Sequence, residues 1–163
     1  VNNAGVSLHE NSFFDVVPEG FDTQIDTNFK GGYFLTQSFI KRMIELGRAG
    51  NVLFISSETG ETVDFRPYGF TKAAVNSMVQ GLAYLYAKNN IRVNAIAPGF
   101  ISSANEIDNM DEEFIATETE KILVKRIGTE QDVANLVEFL ASDKSSFINN
   151  EVIRIDGGVY GNF

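Results

Sequence analysis

Three side chains in close order could do proton chemistry. Tyr68 and Lys72 form a Tyr-x-x-x-Lys pair within the run Tyr68-Gly-Phe-Thr-Lys72. On a helix this spacing puts both groups on one face, one turn apart. A free phenol has a pKa near ~10, too high for an efficient base at neutral pH. A neighbouring ammonium favours the phenolate and lowers that value, so the pair predicts a tuned general acid/base. Just upstream, Ser56-Ser57-Glu-Thr-Gly60 follows a short apolar run. A serine there can donate a hydrogen bond to a substrate oxygen. Taken singly, neither signal is specific: helices carry such pairs by chance, and a Ser-Ser turn is usually just a turn.

The elements that must hold these groups alternate along the chain. Residues 51–56 (NVLFIS), 91–97 (IRVNAIA) and 151–155 (EVIRI) are short, rich in β-branched residues and ended by turn residues, as strands are. Helical patterns lie between them. Phe29, Tyr33, Ile40 and Ile44 share a helical face, and Val133, Leu136, Val137 and Leu140 repeat at i, i+3, i+4, i+7. Thr129 has the chemistry of an N-cap for that second helix. Strands separated by helices predict an α/β fold with a mostly parallel sheet. The helix predicted over 67–87 is apolar nearly all round, with Val75, Met78, Val79, Leu82 and Tyr86 on one face and Ala74, Gly81 and Leu85 elsewhere. Such a helix is buried on two sides. One side is expected to face the sheet and the other a second subunit, which predicts a homo-oligomer, a dimer or tetramer. The alternative cover is a loop of the same chain.

Residues 100–126 break the rhythm with Glu106, Asp108, Asp111, Glu112, Glu113, Glu118 and Glu120 before Lys121 and Lys125. A segment after the carboxyl end of a parallel strand lies where α/β folds bind ligands, so a substrate lid over about 100–127 is expected. Phe100, Ile107, Met110 and Phe114 are available to line an apolar pocket. The competing reading is a solvated acidic helix pair.

Composition narrows the function. The 163 residues carry a net charge of −9, one histidine (His9) and no cysteine. The acid excess disfavours nucleic acid and anionic membrane surfaces as partners, though local donors can still hold an anionic cofactor. No run approaches the roughly 18 apolar residues of a membrane helix. Disulfides and thiolate catalysis are excluded, and a histidine-rich metal site is not expected. The expected location is the cytoplasm and the expected partner a small molecule.

Six motifs in order give the chain a family likeness. They are Asn2-Asn3-Ala4-Gly5, Asn28 in Asn-Phe-Lys-Gly-Gly-Tyr-Phe, Gly50 through Ser57, Tyr68 with Lys72, Asn94-Ala-Ile-Ala-Pro98-Gly99, and Val133 to Ser142 followed by Asp156-Gly157-Gly158. In these the chain resembles the classical short-chain dehydrogenase/reductase family across essentially its whole length. The resemblance implies a doubly wound, Rossmann-like parallel sheet, of which this chain would supply the C-terminal two-thirds. It implies NAD or NADP as cofactor and a carbonyl or secondary alcohol as substrate. By resemblance Tyr68 is the acid/base, Ser57 holds the substrate oxygen, and Lys72 lowers the tyrosine pKa and binds the nicotinamide ribose. Asn28, at the opening of its helix, would hold a water in a proton relay. Asn3, Ala4, Gly5, Pro98, Gly99, Ile101 and Ser103, with Tyr68 and Lys72, would border the cofactor, Ile101 through its backbone and Ser103 in place of a threonine. Asn94 would brace neighbouring loops.

Several features depart from the family pattern. Thr71 stands where serine is common, and the connection from Ser57 to Tyr68 is slightly short. No G-x-G-x-x-G occurs. By resemblance, the first strand, the pyrophosphate loop and the residue choosing NAD or NADP precede Val1, so the chain alone is expected to be inactive. Two alternatives stand beside the oxidoreductase reading: a non-catalytic remnant acting, if at all, through an oligomer interface, and epimerase or dehydratase chemistry.

Overall fold

A computed structural model of the chain describes residues 1–102 and 110–159. Ser103, Glu106, Ile107 and Asp108 lie outside the described residues. Three parallel strands form the sheet in the order β1 (Gly50–Ile55), β2 (Ile91–Pro98), β3 (Val152–Ile155). Gly50 pairs with Ile91 and Ile55 with Ile96, and Ala95 pairs with Val152 through to Pro98 with Ile155. Parallel strands demand long crossovers, and helices fill them. The chain start runs beside β1 as well. Asn2 bridges Phe54 in parallel: its N–H donates to Leu53 O at 2.7 Å, and its carbonyl accepts from Ile55 N–H at 2.9 Å.

The helices are α1 (Pro18–Ile25), α2 (Gly31–Glu45), α3 (Pro67–Tyr86), α4 (Glu112–Lys121) and α5 (Glu130–Ala141). α2 and α3 cover one sheet face, where Ile40, Val75, Val79 and Ala83 pack on Val52, Phe54, Val93 and Ala95. α5 covers the other, with Leu140, Val133, Leu136 and Val137 against Leu53 and Ile96. Helices on both faces of a parallel sheet make the doubly wound architecture. β1 and β2 are buried on both faces along much of their length, which is why they read as largely apolar rather than alternating, while β3 is half-buried and exposes Arg154. Thr129 caps α5 in a reciprocal capping box with Asp132.

One expectation changes. Asn28 does not open a helix. It lies in a π-helical turn (Asp26–Lys30) joining α1 to α2 without a break. On α3, Val75, Val79 and Ala83 face the core, the side expected to meet the sheet, and Phe70, Tyr84 and Leu85 are exposed on the single chain. The remaining apolar side chains, Met78, Leu82 and Tyr86, join Tyr33, Ile40 and Ile44 of α2 in a groove of about 400 Å³.

Candidate active site

The site is built where β1 ends and α3 begins. Pro67 is the first residue of α3, preceded by Arg66 in extended geometry (φ −82°, ψ 144°). Proline is suited to this position because its missing N–H has no helical partner there. Tyr68 therefore sits in the first turn and Lys72 one turn later. The Lys72 ammonium lies 5.4 Å from the Tyr68 ring centroid, a cation–π distance. The same ammonium donates to Ile55 O at 2.8 Å, which ties α3 to the last residue of β1. An ammonium carries three donors, so this bond leaves it able to hold more.

The two serines after β1 have different surroundings. Ser56 is buried; its hydroxyl donates to Asn76 Oδ1 at 2.6 Å, with Lys72 O at 3.3 Å. It braces the strand end against α3. Ser57 caps a 3-10 turn (Glu58–Glu61), accepting from the Thr59 N–H at 3.3 Å and the Thr59 hydroxyl at 3.0 Å. Its hydroxyl is one of the groups that pull the Tyr68 phenol down towards its ordinary value.

Asn28 reaches the same centre from the opposite side. The π-turn carries one extra residue per turn and re-aims its side chain inward. Asn28 Oδ1 accepts from Val6 N at 2.7 Å, and its Nδ2 donates to Val6 O at 2.9 Å and to Thr71 Oγ1 at 3.2 Å. Thr71 in turn donates to Tyr68 O at 2.7 Å. Sequence reasoning treated Thr71 as a tolerated replacement; it is the link between Asn28 and the helix that carries Tyr68. A threonine three residues after a tyrosine in a helix's first turn can bond back to that carbonyl, and this was the available signal.

Electrostatics differ from the sequence expectation. Burial raises the Tyr68 phenol above its ordinary value and outweighs the Ser57 hydrogen bond and the Arg66 charge, which both pull it down. Lys72 is 4% exposed, and burial pushes its ammonium down to about 8. In this chain desolvation governs both groups, because the charged form of either loses in the fold the hydration it has in water.

Asn3, Ala4 and Gly5 are exposed, and Asn3 and Ala4 border a cavity of about 180 Å³ shared with Asn28, Gly31, Gly32 and Ile55. The Gly5 backbone passes over the ammonium: a Cβ there would stand 3.6 Å from Lys72 Nζ and 3.7 Å from Asn28 Oδ1. In the same wall Asn2 Oδ1 is buried without a partner among the described residues. Pro98 ends β2, and Gly99 N donates to Ile155 O at 3.1 Å. Ile101 bridges Gly128. A donor cluster beside an open wall of small residues fits the sugar and nicotinamide half of NAD(P). Asn94, as expected, braces loops: it donates to Ile148 O at 3.1 Å and accepts from Glu151 N at 3.0 Å.

A parallel sheet wound on both faces, with a Tyr/Lys pair and a serine where its strands end, places these side chains where doubly wound folds bind their ligands. Comparison with known proteins agrees. Residues 1–160 match the family described as Enoyl-(Acyl carrier protein) reductase. The chain is 37% identical over 168 residues to oxidoreductase UcpA of Escherichia coli (strain K12), covering 97% of this chain and 63% of that protein. It is 36% identical to the 3-oxoacyl-[acyl-carrier-protein] reductase FabG of Rickettsia felis, covering 98% and 66%. A solved structure of a putative 2-deoxy-d-gluconate 3-dehydrogenase from Agrobacterium tumefaciens with bound NADP superposes with TM-score 0.89 at 32% identity, over 96% of this chain and 65% of that one. The chain belongs to the short-chain dehydrogenase/reductase family. It spans slightly less than two thirds of the length of these relatives.

Proposed function

We propose that the protein is an oxidoreductase that transfers a hydride between NAD(P)(H) and a carbonyl or secondary alcohol. One observation carries this reading: the Lys72 ammonium, one helical turn beyond Tyr68, lies 5.4 Å from the Tyr68 ring and bonds the end of β1, the strand that leads into Ser57. Ser57 donates to the substrate oxygen and orients it toward the phenol. Tyr68 gives a proton to that oxygen in reduction and takes it back in oxidation. Lys72 holds the phenolate by its charge and, with Asn28 and the backbone at Val6, connects the phenol to an exit for the proton. Asn3, Ala4, Gly5, Pro98, Gly99, Ile101 and Ser103, with Tyr68 and Lys72, would hold the cofactor. When bound, NAD(P) supplies the hydride acceptor or donor that no side chain here can be.

Residues 1–163 then belong to one nucleotide-binding domain, with a substrate lid over about 100–127 in which Phe100 and Phe114 stack edge to face at 5.8 Å. The α2–α3 groove and the exposed Phe70, Tyr84 and Leu85 suit a second copy of the chain, giving a dimer or tetramer. Light scattering of Leu82→Glu against wild type checks that: a monomer is expected from the variant only. The proposed location is the cytoplasm. Among the described residues no helix is long and apolar enough to cross a membrane.

The test is Tyr68→Phe in the full-length enzyme, screened with secondary alcohols and ketones against NAD and NADP. Turnover should fall by about 10³-fold or more, with cofactor affinity largely kept. Turnover near the wild-type rate would end the acid/base assignment.

A further inference from the structure

We propose that Thr59 is a positioning residue whose hydroxyl, with its own backbone N–H, fills the acceptor side of Ser57 Oγ and so leaves the Ser57 proton free for the substrate oxygen. This rests on the acid/base reading above and gives a part in it to Thr59, which that reading leaves idle.

A serine hydroxyl has one proton to give and two lone pairs to receive with. At Ser57 both lone pairs are engaged by the same residue. The Thr59 N–H donates to Oγ at 3.3 Å, and the Thr59 hydroxyl donates to it at 3.0 Å. A backbone N–H can only donate, so the first bond runs one way. For the second, the Thr59 hydroxyl has no other hydrogen bond among the described residues, and Oγ is its acceptor. Ser57 is 8% exposed, so bulk water competes little for that oxygen. The neighbouring serine is the contrast. Ser56 spends its proton on Asn76 Oδ1 at 2.6 Å and has none left for a ligand, whereas no bond of the turn uses the proton of Ser57. Its downward pull on the Tyr68 phenol is that of a donor, because a hydrogen bond given to the phenolate favours it.

The turn that carries Thr59 is fixed to the helix that carries Tyr68 and Lys72. Gly60 N donates to Ser57 O at 3.0 Å, and Gly60 O accepts from Asn76 Nδ2 at 3.3 Å. Gly60 also packs hard against α3, where a Cβ would stand 2.8 Å from the Lys72 carbonyl carbon. The Thr59 hydroxyl is thus in place before any substrate arrives, and nothing need reorganise during reaction. Receiving two bonds polarises the Ser57 O–H and strengthens the bond it gives. That gain is largest where the substrate oxygen carries most negative charge, in the transition state of reduction rather than in the bound ketone. Loss of the Thr59 hydroxyl should therefore appear in kcat more than in KM.

The experiment is a mutant cycle in the full-length enzyme, reading kcat and KM for ketone reduction at saturating cofactor. Thr59→Val keeps the branched shape and the backbone N–H and removes only the hydroxyl. It should lower kcat by about 5- to 10-fold, with KM changed by less than about twofold. Thr59→Ser should bring kcat back to within about twofold of wild type. In a Ser57→Ala background Thr59→Val should cost nothing further, because its one route to the substrate has gone. If the Thr59 hydroxyl instead received the Ser57 proton, Thr59→Val would free that proton and kcat would hold or rise; this result overturns the proposal. Equal losses with and without Ser57, or Thr59→Ser no better than Thr59→Val, would mark a purely structural residue and overturn it as well. Should Thr59→Val fail to fold, Thr59→Ala is read by the same outcomes. Ser57→Ala and Tyr68→Phe separate this proposal from the reading beneath it. If both cut turnover and Thr59→Val does not, this proposal alone falls; if both turn over near the wild-type rate, the acid/base reading falls and takes this one with it.

Discussion

α3 and α4 each follow the carboxyl end of a parallel strand, and they are built in opposite ways. α3 has eight buried residues among its 20, including Thr71, Lys72 and Asn76, and is joined to β1 through Lys72 and Ser56. α4 has ten residues and none of them is buried; Asp111 caps its start and Phe114 rests on Phe100. The free energy of local opening follows such differences in buried contact. Groups whose geometry must hold to fractions of an ångström sit on the rigid helix, and the proposed substrate contacts sit on the one that can open. If that division is right, changes in α3 should strike chemistry and stability together, and changes in α4 should strike substrate affinity alone.

The hardest test of the rigid side is Lys72→Met. Turnover should fall by about 10²–10⁴-fold, read as kcat in the full-length enzyme. The same variant carries a pH signature in stability. Burial holds the folded Lys72 at about 8 against an ordinary 10.5, so between those values the unfolded chain binds more protons than the folded one. Wild-type stability should therefore rise as pH increases from about 8 to about 10.5, by at most roughly 3 kcal/mol. Urea unfolding at several pH values should show that rise in wild type and lose it in the variant. Equal slopes would mean that Lys72 is solvated in the folded state and that α3 is not the closed element described.

A smaller effect is expected at Gly60. A Cβ there would lie 2.8 Å from the Lys72 carbonyl carbon and 3.0 Å from Ala73 N, and backbone cannot yield as a side-chain tip can. Gly60→Ala should cost about 1–3 kcal/mol, measured by denaturant midpoint, and should lower kcat because the turn bearing Ser57 must move. A neutral substitution would show that the turn and α3 are loosely joined, which would blur the contrast with α4.

These contrasts were only partly legible in the sequence. All three strands could be read to within a residue or two, because each is short, largely apolar and ended by turn residues. The Thr129 cap was legible because capping is local chemistry. Tyr68, Lys72 and the hydroxyl at Ser57 announced themselves by type and spacing. Three things did not. The π-turn at Asn28 has no periodicity of its own, being one extra residue inside a helical pattern. The direction of the Tyr68 shift was missed because spacing gives the distance between two groups and says nothing of the water removed around them. Asp64 belongs to no motif in the sequence, and only the fold reveals its carboxylate packed against Gly69.

The loose side is probed most gently at Asp111. Its Oδ1 accepts from the backbone N–H groups of Glu113 at 2.9 Å and Phe114 at 3.2 Å, closing the first turn of α4. Asp111→Ala removes that cap at a cost of about 1 kcal/mol to the helix. Because α4 carries no buried residue, the loss should stay local. Amide exchange at Glu113 and Phe114 should quicken by about fivefold, by the same free energy, while the global melting temperature stays within error. In the full-length enzyme KM should rise and kcat stay within about twofold, since Phe114 and the acid/base belong to separate elements. A drop in global stability as large as that expected of Gly60→Ala would mean that α4 is cooperative with the core, and substrate choice would then have to be sought elsewhere than in a helix free to move.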